Sequence, residues 1–327
     1  MKNLVTEFSL ESLFAELPQF YARGVTELTV HDKTLAADKK AVCALLERIA
    51  CTAPDLFVSI AVDVSCIDPQ VVEKAAQVWC SIEIPLTALE RNGTLLFDKK
   101  RYASKAALLN RAGIVFGFDM DWALLPGDTF RAFRERLDFA TTLYPNHIDF
   151  EQIERDIVPR STGVYSSKDI DFSRGMAFAC VTFYSCGRAV PWFNAVLRPL
   201  KISPSSFFAD FEEWQHCNNC SYETGFVPQN ADHHDIEKMQ LLFLKEKYEE
   251  KNKGHLFAAV HDIVTLHGAF SRVADGGTET VLETAYNPDD VLSPAAQDIA
   301  RFCDNTCEEP CTVTVFLKND NVDYKIH

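Results

Sequence analysis

Positive charge is scarce in this sequence. Its 32 lysines and arginines stand against 47 aspartates and glutamates, so the formal net charge is −15. An acidic surface repels phosphate groups, and the chain has no locally basic stretch that would compensate for this. Nucleic acid is therefore excluded as an expected partner.

Long apolar runs are also missing. The longest, such as Leu56–Val62, are far shorter than the roughly 20 residues that a helix needs to cross a bilayer. Glu7, Glu11 and Glu16 interrupt any signal-peptide pattern near the start of the chain. These absences predict a cytoplasmic protein that does not use a membrane as a partner.

The short motifs of several enzyme classes are absent as well. We find no Walker loop, no Gly-x-Ser-x-Gly elbow and no His-Glu-x-x-His helix, so hydrolysis by an activated nucleophile has no support in the sequence. The 11 cysteines are an odd number and are scattered. This usage is typical of buried thiols in a reducing compartment rather than of a disulfide framework.

Repeated strand–helix units fill the first half of the chain. The predicted strands are Val25–His31, Leu56–Val64, Trp79–Leu86, Gly113–Trp122 and His147–Ile153. Each is rich in Val, Ile, Leu or Phe, as strands buried on both faces are. Asp68, Asp98 and Asp128 are predicted to cap the helices between them. Such units form parallel sheets with right-handed crossovers, which indicates a partial TIM-like (β/α) barrel over residues 1–158.

The pattern becomes mainly helical over residues 159–327. The predicted helices are Lys168–Thr182, Ala189–Leu200, Ser205–His216, His234–Glu250 and Gly254–His267. The expected fold class is therefore α/β, with a partial TIM-like parallel (β/α) barrel followed by a mainly helical domain with a small C-terminal antiparallel sheet.

That small sheet is predicted from two turn signals. Gly276-Gly277 separates Phe270–Val273 from Thr278–Ala285, which indicates one hairpin. Asn319-Asp320-Asn321 separates Thr312–Leu317 from Val322–Ile326, which indicates a second.

Five segments resemble, in order, the barrel of radical S-adenosylmethionine enzymes. The segments similar to the second to sixth strands of that barrel are Tyr21–Thr34, Asp63–Pro69, Ser81–Thr87, Ala112–Thr129 and Leu143–Phe150. The region from Tyr184 to Phe208 resembles the helical tail of the cobalamin-binding members of this family. The resemblance implies a barrel fold and S-adenosylmethionine as a ligand.

The chain departs from that family in three places. The Cys-x3-Cys-x2-Cys loop that holds the [4Fe–4S] cluster is absent, because the chain starts where that loop would end, and the cobalamin domain is absent too. Pro85 stands near the usual glycine of the fourth-strand segment, and Leu124 replaces the glycine of the fifth, which lets the backbone approach the ligand. We therefore expect no iron–sulfur cluster from this chain and an altered S-adenosylmethionine site.

Acidic side chains dominate the predicted mouth of the barrel, where α/β barrels carry their functional groups. The candidate ligand-binding residues are His31, Asp32, Lys33, Asp63, Ser65, Glu83, Thr87, Asp119, Asp121, Asp149 and Glu151. They predict a small-molecule pocket, or a divalent-metal site with oxygen ligands and one histidine. The competing interpretation is that each is a helix cap or a solvated loop end.

Strand alternation leaves the direction of Asp119 and Asp121 open. Both point the same way, because residues two apart in a strand share a face. If they face the barrel interior, two carboxylates lie side by side there. We favour the other arrangement, in which Phe118, Met120 and Trp122 fill the interior, because large apolar side chains are costly to expose.

Two cysteine groups are candidate metal sites. Cys217-x2-Cys220 has the spacing of half a zinc site, with His233 and His234 as the second half. Cys303, Cys307 and Cys311 are spaced one residue too widely for the cluster motif of the resembled family. The alternative for both groups is ordinary buried thiols and helix ends.

Three functional hypotheses follow. The first is a degenerate or split radical S-adenosylmethionine-like protein, a pseudoenzyme that binds a small ligand or a catalytic partner. The second is a fragment of an active cobalamin-dependent-type enzyme whose cluster-bearing N-terminal part is missing. The third is a divalent-metal enzyme with an acidic mouth.

A missing first strand would leave Val25–His31 at a sheet edge, which proteins cover or pair. Lys2–Phe8, the C-terminal sheet or a protein partner, including another protomer, is therefore predicted to cover the open barrel edge.

Overall fold

The computed structural model describes residues 9–87, 89–91, 94–124 and 127–327. Its strands are β1 Glu27–Val30, β2 Phe57–Ala61, β3 Cys80–Pro85, β4 Leu89–Arg91, β5 Thr94–Leu96, β6 Val115–Asp119, β7 His147–Asp149, β8 Thr280–Thr284, β9 Cys311–Lys318 and β10 Asn321–Ile326. No helix in these ranges is both long enough and apolar enough to span a membrane.

The α-helices alternate with the strands first and then dominate. They are α1 Leu10–Phe20, α2 Lys33–Ala36, α3 Lys39–Thr52, α4 Pro69–Ala75, α5 Lys99–Ala112, α6 Phe130–Thr141, α7 Glu151–Glu154, α8 Ser167–Cys180, α9 Phe193–Leu200, α10 Pro204–Cys217, α11 His233–Glu250, α12 Phe257–Ala274, α13 Pro288–Val291 and α14 Ile299–Asn305. A π-helix, Val181–Cys186, directly follows α8.

The sheets confirm the predicted fold class, an α/β fold with a partial parallel barrel and a small antiparallel sheet. The larger sheet has the strand order β1-β2-β3-β6-β7, and β1, β2, β3 and β6 pair in parallel. A three-stranded sheet has the order β10-β9-β8 and is antiparallel, and β4 pairs with β5 in a separate two-stranded antiparallel sheet. The chain divides into two compact units, Met1–Met120 and Asp121–His327. The domain boundary expected after Val158 stays a prediction.

Helix caps in the first unit follow the sequence signals. The carboxylate of Asp68 accepts hydrogen bonds from the backbone N–H groups of Gln70 and Val71, and Pro69 is the first residue of α4. Asp98 caps α5, and Gly113 ends that helix with a φ of 67°. These local choices set where each parallel strand begins.

The sheet of the first unit has one apolar face. In register, Val58, Ile60, Ile82, Ile84, Phe116 and Phe118 share this face and are buried. The ring of Phe118 lies 6.2 Å from that of Tyr102 on α5, so this face packs against helices. Alternation then places Asp119 on the opposite face. We call that opposite side, which carries Ser59, Ser81, Glu83 and Asp119, the open face.

The arrangement favoured from the sequence, with Phe118, Met120 and Trp122 filling the barrel interior, is therefore wrong for Phe118. Phe118, Met120 and Trp122 are buried as expected. Phe118, however, packs on the helix-covered side, and it is Asp119 that faces the other way. In an incomplete barrel the helix layer offers more apolar contact than the inner face does, so the large side chain goes there.

An aromatic core organises the second unit. The ring of Phe183, in the π-helix, lies 4.8 Å from that of Phe207 and 5.0 Å from that of Phe211 on α10. The amide of Gln240 on α11 donates to the carbonyls of Phe183 and Gly187 at the end of the π-helix. These contacts join α10, α11 and the π-helix around one buried cluster.

One of the two predicted hairpins is wrong. Phe270–Val273 continues α12, which ends at Ala274, and β8 pairs instead with β9. The helix persists because Phe270 packs on Tyr324 of β10, with ring centroids 5.7 Å apart. The second hairpin is confirmed by the pairing of β9 with β10.

The two outermost strands of the larger sheet, β7 and β1, differ in what contacts their outer edges. The hydroxyl of Ser185, in the π-helix, donates to the carbonyl of Ile148 and accepts from its N–H, both at 2.9 Å. These are backbone groups that a further strand would need next to β7. Strand β1 pairs, within the described part of the chain, with β2 alone. Lys2–Phe8 lies outside the described residues, so the covering of β1 stays a prediction.

Candidate functional site

The open face brings the polar centre of β3 next to small residues. Glu83 is in register with Ala61 on β2 and with Gly117 on β6, so neither neighbour crowds its side chain. The hydroxyl of Ser59 donates to the Glu83 carboxylate at 3.0 Å. The parallel register thus places a half-buried carboxylate in the middle of the open face.

Asp119 and His31 lie at the carboxyl ends of β6 and β1 on the same surface. Nε2 of His31 is 3.3 Å from Oδ2 of Asp119, and the two side chains are 49% and 28% exposed. Oδ2 of Asp119 is buried and accepts no hydrogen bond from any described residue. A buried acceptor without a hydrogen bond costs about 1–3 kcal/mol, and the contact with His31 offsets part of this cost.

Ser81 provides a second unpartnered atom on the open face. The residue is 4% exposed, and its Oγ has no hydrogen-bond partner within the described residues. It is in register with Ser59 and lies two residues before Glu83 on β3. Two buried polar atoms on one side of the sheet therefore make no hydrogen bond within the described residues.

Sequence reasoning missed Ser59 and Ser81. Both lie within strands, whereas the predicted site residues lie mostly at the carboxyl ends of strands. The signal that could have found them is the alternation of polar and apolar residues within β2 and β3, because strands covered on both sides read as continuously apolar.

Three predicted mouth residues have local roles at the starts of loops and helices. Asp32 caps α2 by accepting from the N–H groups of Thr34 and Leu35, both at 2.8 Å, and Lys33 is the first residue of that helix. Oδ1 of Asp63 accepts from the N–H and hydroxyl of Ser65, at 2.7 and 2.5 Å. For Asp32, Asp63 and Ser65 the structure matches the turn-and-cap interpretation.

Thr87 is held at the end of β3 by a buried tyrosine. The Tyr102 hydroxyl accepts from the Thr87 N–H at 3.3 Å and donates to the Pro85 carbonyl at 2.8 Å. Burial raises the pKa of Tyr102, so its hydroxyl stays protonated and the link persists at neutral pH. The carbonyl of Pro85 therefore serves as a hydrogen-bond acceptor at the end of β3.

The remaining mouth candidates belong to the second unit. The carbonyl of Asp121 accepts from Arg136, Asp149 lies 3.5 Å from Nε2 of His147, and Glu151 pairs with Arg155 at 2.8 Å. A ligand role for Asp121, Asp149 and Glu151 stays a prediction.

The cap predicted at Asp128 is wrong. Thr129 is the residue that caps α6, and its side chain accepts from the N–H of Ala132. The Asp128 carboxylate is buried and forms a bidentate pair with Arg136, at 2.9 and 3.0 Å. The sequence signal was shifted by one residue because an aspartate and a threonine, both good caps, stand side by side.

The candidate zinc residues have other partners. The thiol of Cys220 donates to the Gln215 carbonyl, and Nδ1 of His233 accepts from Arg272. Burial, the first of several causes, lowers the pKa of His233 to about 4. In the described part of the chain, Cys217, Cys220, His233 and His234 do not form a group with ligand atoms within 4.8 Å of one another.

All 11 cysteines lie within the described residues and are free thiols. No three of their sulfur atoms in this part of the chain lie within 4.8 Å of one another. An iron–sulfur cluster of the resembled family needs three such thiolates. The cysteines of this chain therefore do not fit that cluster.

Two solved structures are similar to part of this chain. Both are of the radical S-adenosylmethionine methyltransferase TsrM from Kitasatospora setae, one with cobalamin and a [4Fe–4S] cluster and one with tryptophan substrate and the analogue aza-SAM. Each is 15% identical with a TM-score of 0.35, over 44% of this chain and 31% or 30% of the other. The match thus spans under a third of those proteins. No protein-family model and no curated protein matches the chain.

Proposed function

We propose that this chain is a radical S-adenosylmethionine-like barrel protein that binds a small cationic ligand on its open face without carrying its own iron–sulfur cluster. The single observation that carries the proposal is a pair of buried oxygens, Oδ2 of Asp119 and Oγ of Ser81, that make no hydrogen bond within the described residues and lie on the same face of the sheet as Glu83. Nε2 of His31 lies 3.3 Å from Oδ2 of Asp119 without forming a hydrogen bond to it. The first of the three hypotheses from the sequence is thereby preferred, in its ligand-binding form.

The charge of the surface selects the ligand class. Glu83 and Asp119 are acids, and the hydroxyls of Ser59 and Ser81 can both accept and donate. A ligand that brings positive charge and hydroxyl donors satisfies all four groups. S-adenosylmethionine has a sulfonium, an ammonium and two ribose hydroxyls, and the motif resemblance makes it the first ligand to test.

Binding is the role that these residues support, and no redox step is assigned to them. Glu83 would accept from ribose hydroxyls or an ammonium group, and Asp119 would lie against positive charge. Reduction of S-adenosylmethionine needs an electron from a cluster, for which the cysteines here do not fit. In the split form of the hypothesis, a catalytic partner that carries a cluster would supply that electron.

Calorimetry with a matched pair of ligands tests the proposal. S-adenosylhomocysteine differs from S-adenosylmethionine by one methyl group and the sulfonium charge. We expect S-adenosylmethionine to bind at least about tenfold more tightly, as one charge-assisted contact of about 1.4 kcal/mol requires. Equal affinities, or no binding of either, would overturn the proposal.

Variants locate the binding on the open face. Glu83→Gln and Asp119→Asn each remove one charge, and both should weaken S-adenosylmethionine binding. Asp55→Asn is the matched control, because Asp55 is an exposed acid of the same unit that precedes β2. An equal loss in all three variants would indicate general charge attraction rather than a site.

Anaerobic reconstitution tests the statement about the cluster. Purified chain treated with iron and sulfide should bind no stoichiometric cluster, because its thiols are dispersed. A stoichiometric cluster with visible thiolate-to-iron absorption would contradict this and favour an active enzyme.

A divalent cation is the second candidate ligand. His31 and Asp119 offer nitrogen and oxygen donors 3.3 Å apart, a combination that suits Mn²⁺. Titration with Mn²⁺ followed by electron paramagnetic resonance separates the candidates. Stoichiometric Mn²⁺ binding that Asp119→Asn abolishes would favour the metal, and unchanged signal of the free ion would remove it.

A further inference from the structure

A cavity of about 490 Å³ lies in the second unit, between the start of α12 and the end of β8. Its polar lining includes His261, Asp262, Glu283 and Thr284. Its apolar lining consists of Phe257, Ala258, Ala285 and Pro310. No described residue that lines it is a lysine or an arginine. The cavity thus offers acceptors and apolar surface without a positive charge.

Asp262 is the fixed negative charge of this cavity. The residue is 2% exposed, and its Oδ2 accepts from the N–H groups of Ala285 and Tyr286 at 2.7 and 2.9 Å. Its Oδ1 lies 3.3 Å from Nδ1 of His261. Two backbone donors hold the carboxylate in one orientation, so its second oxygen is aimed at the imidazole.

This contact engages Nδ1 of His261 and leaves Nε2 as the ring nitrogen that is not held by Asp262. A neutral imidazole that donates from Nδ1 to a carboxylate keeps Nε2 as an acceptor. The His261 side chain is 43% exposed, and its ring centroid lies 6.4 Å from that of Phe257. His261, Phe257 and Glu283 line the same opening, and one oxygen of Glu283 accepts from the hydroxyl of Thr312 at 3.0 Å, which leaves its second oxygen for a ligand.

We propose that this cavity binds a small organic ammonium ion, a primary amine with a compact apolar body. The ammonium would donate to Glu283 and to Nε2 of His261, with Phe257 attracting the cation through its ring face. The apolar body would lie against Ala258, Ala285 and Pro310. This site lies in the second unit and does not rest on the proposed function of the open face.

Benzylammonium is the probe, and benzyl alcohol is its neutral counterpart of the same shape. Both would be titrated into isotopically labelled full-length chain while the amide signals of Ala258 and Ala285 are followed. We expect saturable shifts at these amides and roughly tenfold tighter binding of benzylammonium than of the alcohol. Equal affinities, shifts confined to other regions, or no shifts at all would overturn the proposal.

Substitutions separate a site from general attraction to an acidic chain. Glu283→Gln should weaken benzylammonium binding roughly tenfold, and His261→Phe should weaken it while keeping a ring in place. Glu279→Gln is the control, since Glu279 is an exposed acid just before β8 and does not line the cavity. Equal weakening in Glu279→Gln and Glu283→Gln would contradict a specific site.

Discussion

Two carboxylate–histidine pairs, one in each compact unit, have the same spacing and different surroundings. His31 and Asp119 are 3.3 Å apart, and so are His261 and Asp262. Asp262 is held by two backbone N–H groups, whereas Oδ2 of Asp119 has no hydrogen-bond donor within the described residues. A committed carboxylate stabilises the fold and orients its neighbour. A buried carboxylate oxygen that makes no hydrogen bond costs stability.

The same contrast extends to the histidines of the second unit. Burial lowers the pKa of His267 to about 4, and burial together with Arg188 and Arg272 lowers that of His233 to about 4. These imidazoles are neutral parts of a packed unit. On the open face of the first unit, by contrast, the side chain of His31 is 49% exposed and that of Asp119 is 28% exposed.

Acid should therefore produce the largest effect, and it should act on the second unit. Below pH 6.5 the unfolded chain protonates His233 and His267 while the folded chain does not, so stability falls as pH drops from about 6.5 to about 4. The loss is at most about 3 kcal/mol per histidine, from roughly 1.4 kcal/mol per pKa unit. Urea unfolding at pH 7 and pH 4 measures it.

His267→Gln sharpens this result, because glutamine does not titrate and the loss should fall by about half. Asp68, Asp169 and Asp323 have lowered pKa values because each accepts hydrogen bonds, from Lys39, Ser166 and Tyr324 respectively. Their contribution is lost only as pH falls below about 4, so they do not account for a loss above it. Equal stability at both pH values would contradict the account.

Truncation of the two paired carboxylates should have unequal effects. Asp262→Ala leaves the buried N–H groups of Ala285 and Tyr286 without an acceptor, which should cost about 3 kcal/mol. Asp119→Ala removes an oxygen that makes no hydrogen bond together with its contact to His31, so the free energy of unfolding should change by less than about 1 kcal/mol in either direction. The free energies of unfolding of both variants, measured at pH 7 without ligand, test this, and equal losses would erase the distinction between the two pairs.

A smaller effect is expected at the outer side of β7. Ser185→Ala removes both hydrogen bonds to Ile148, which should lower stability by about 1–2 kcal/mol. It also exposes strand-pairing groups, so the variant should self-associate more readily. Ser104→Ala is the control, since the Ser104 hydroxyl bonds only within an exposed turn of α5. Urea unfolding measures the stability of the variant, and sedimentation measures its self-association. A Ser185→Ala protein that is as stable as wild type and stays monodisperse would contradict the role of Ser185 at this edge.

Local rules in the sequence predicted much of the fold. The caps at Asp68 and Asp98 and the glycine at 113 depend on neighbours a few residues away, and all three are found. The end of α12 was missed because it depends on a contact between Phe270 and Tyr324, which lie far apart in the chain. Local turn chemistry at Gly276-Gly277 could not reveal that contact.

The candidate site was predicted only in part. His31, Glu83 and Asp119 were named because strand ends are where barrels carry functional groups. Ser81 and the unpartnered state of Asp119 Oδ2 were not foreseen, because burial without a donor is a property of the packed structure. The cavity beside His261 was missed for a related reason, since α12, β8 and the residue before β9 come from separate parts of the sequence.

The most direct test of the central claim combines charge on the ligand with charge on the protein. S-adenosylmethionine and S-adenosylhomocysteine are each titrated calorimetrically into wild type and Asp119→Asn. We predict that the wild type prefers the sulfonium ligand by about tenfold and that the variant loses most of this preference, because Oδ2 of Asp119 makes no hydrogen bond within the described residues. The same preference in both proteins, or none in either, would contradict the assignment of the open face as a cation-binding site.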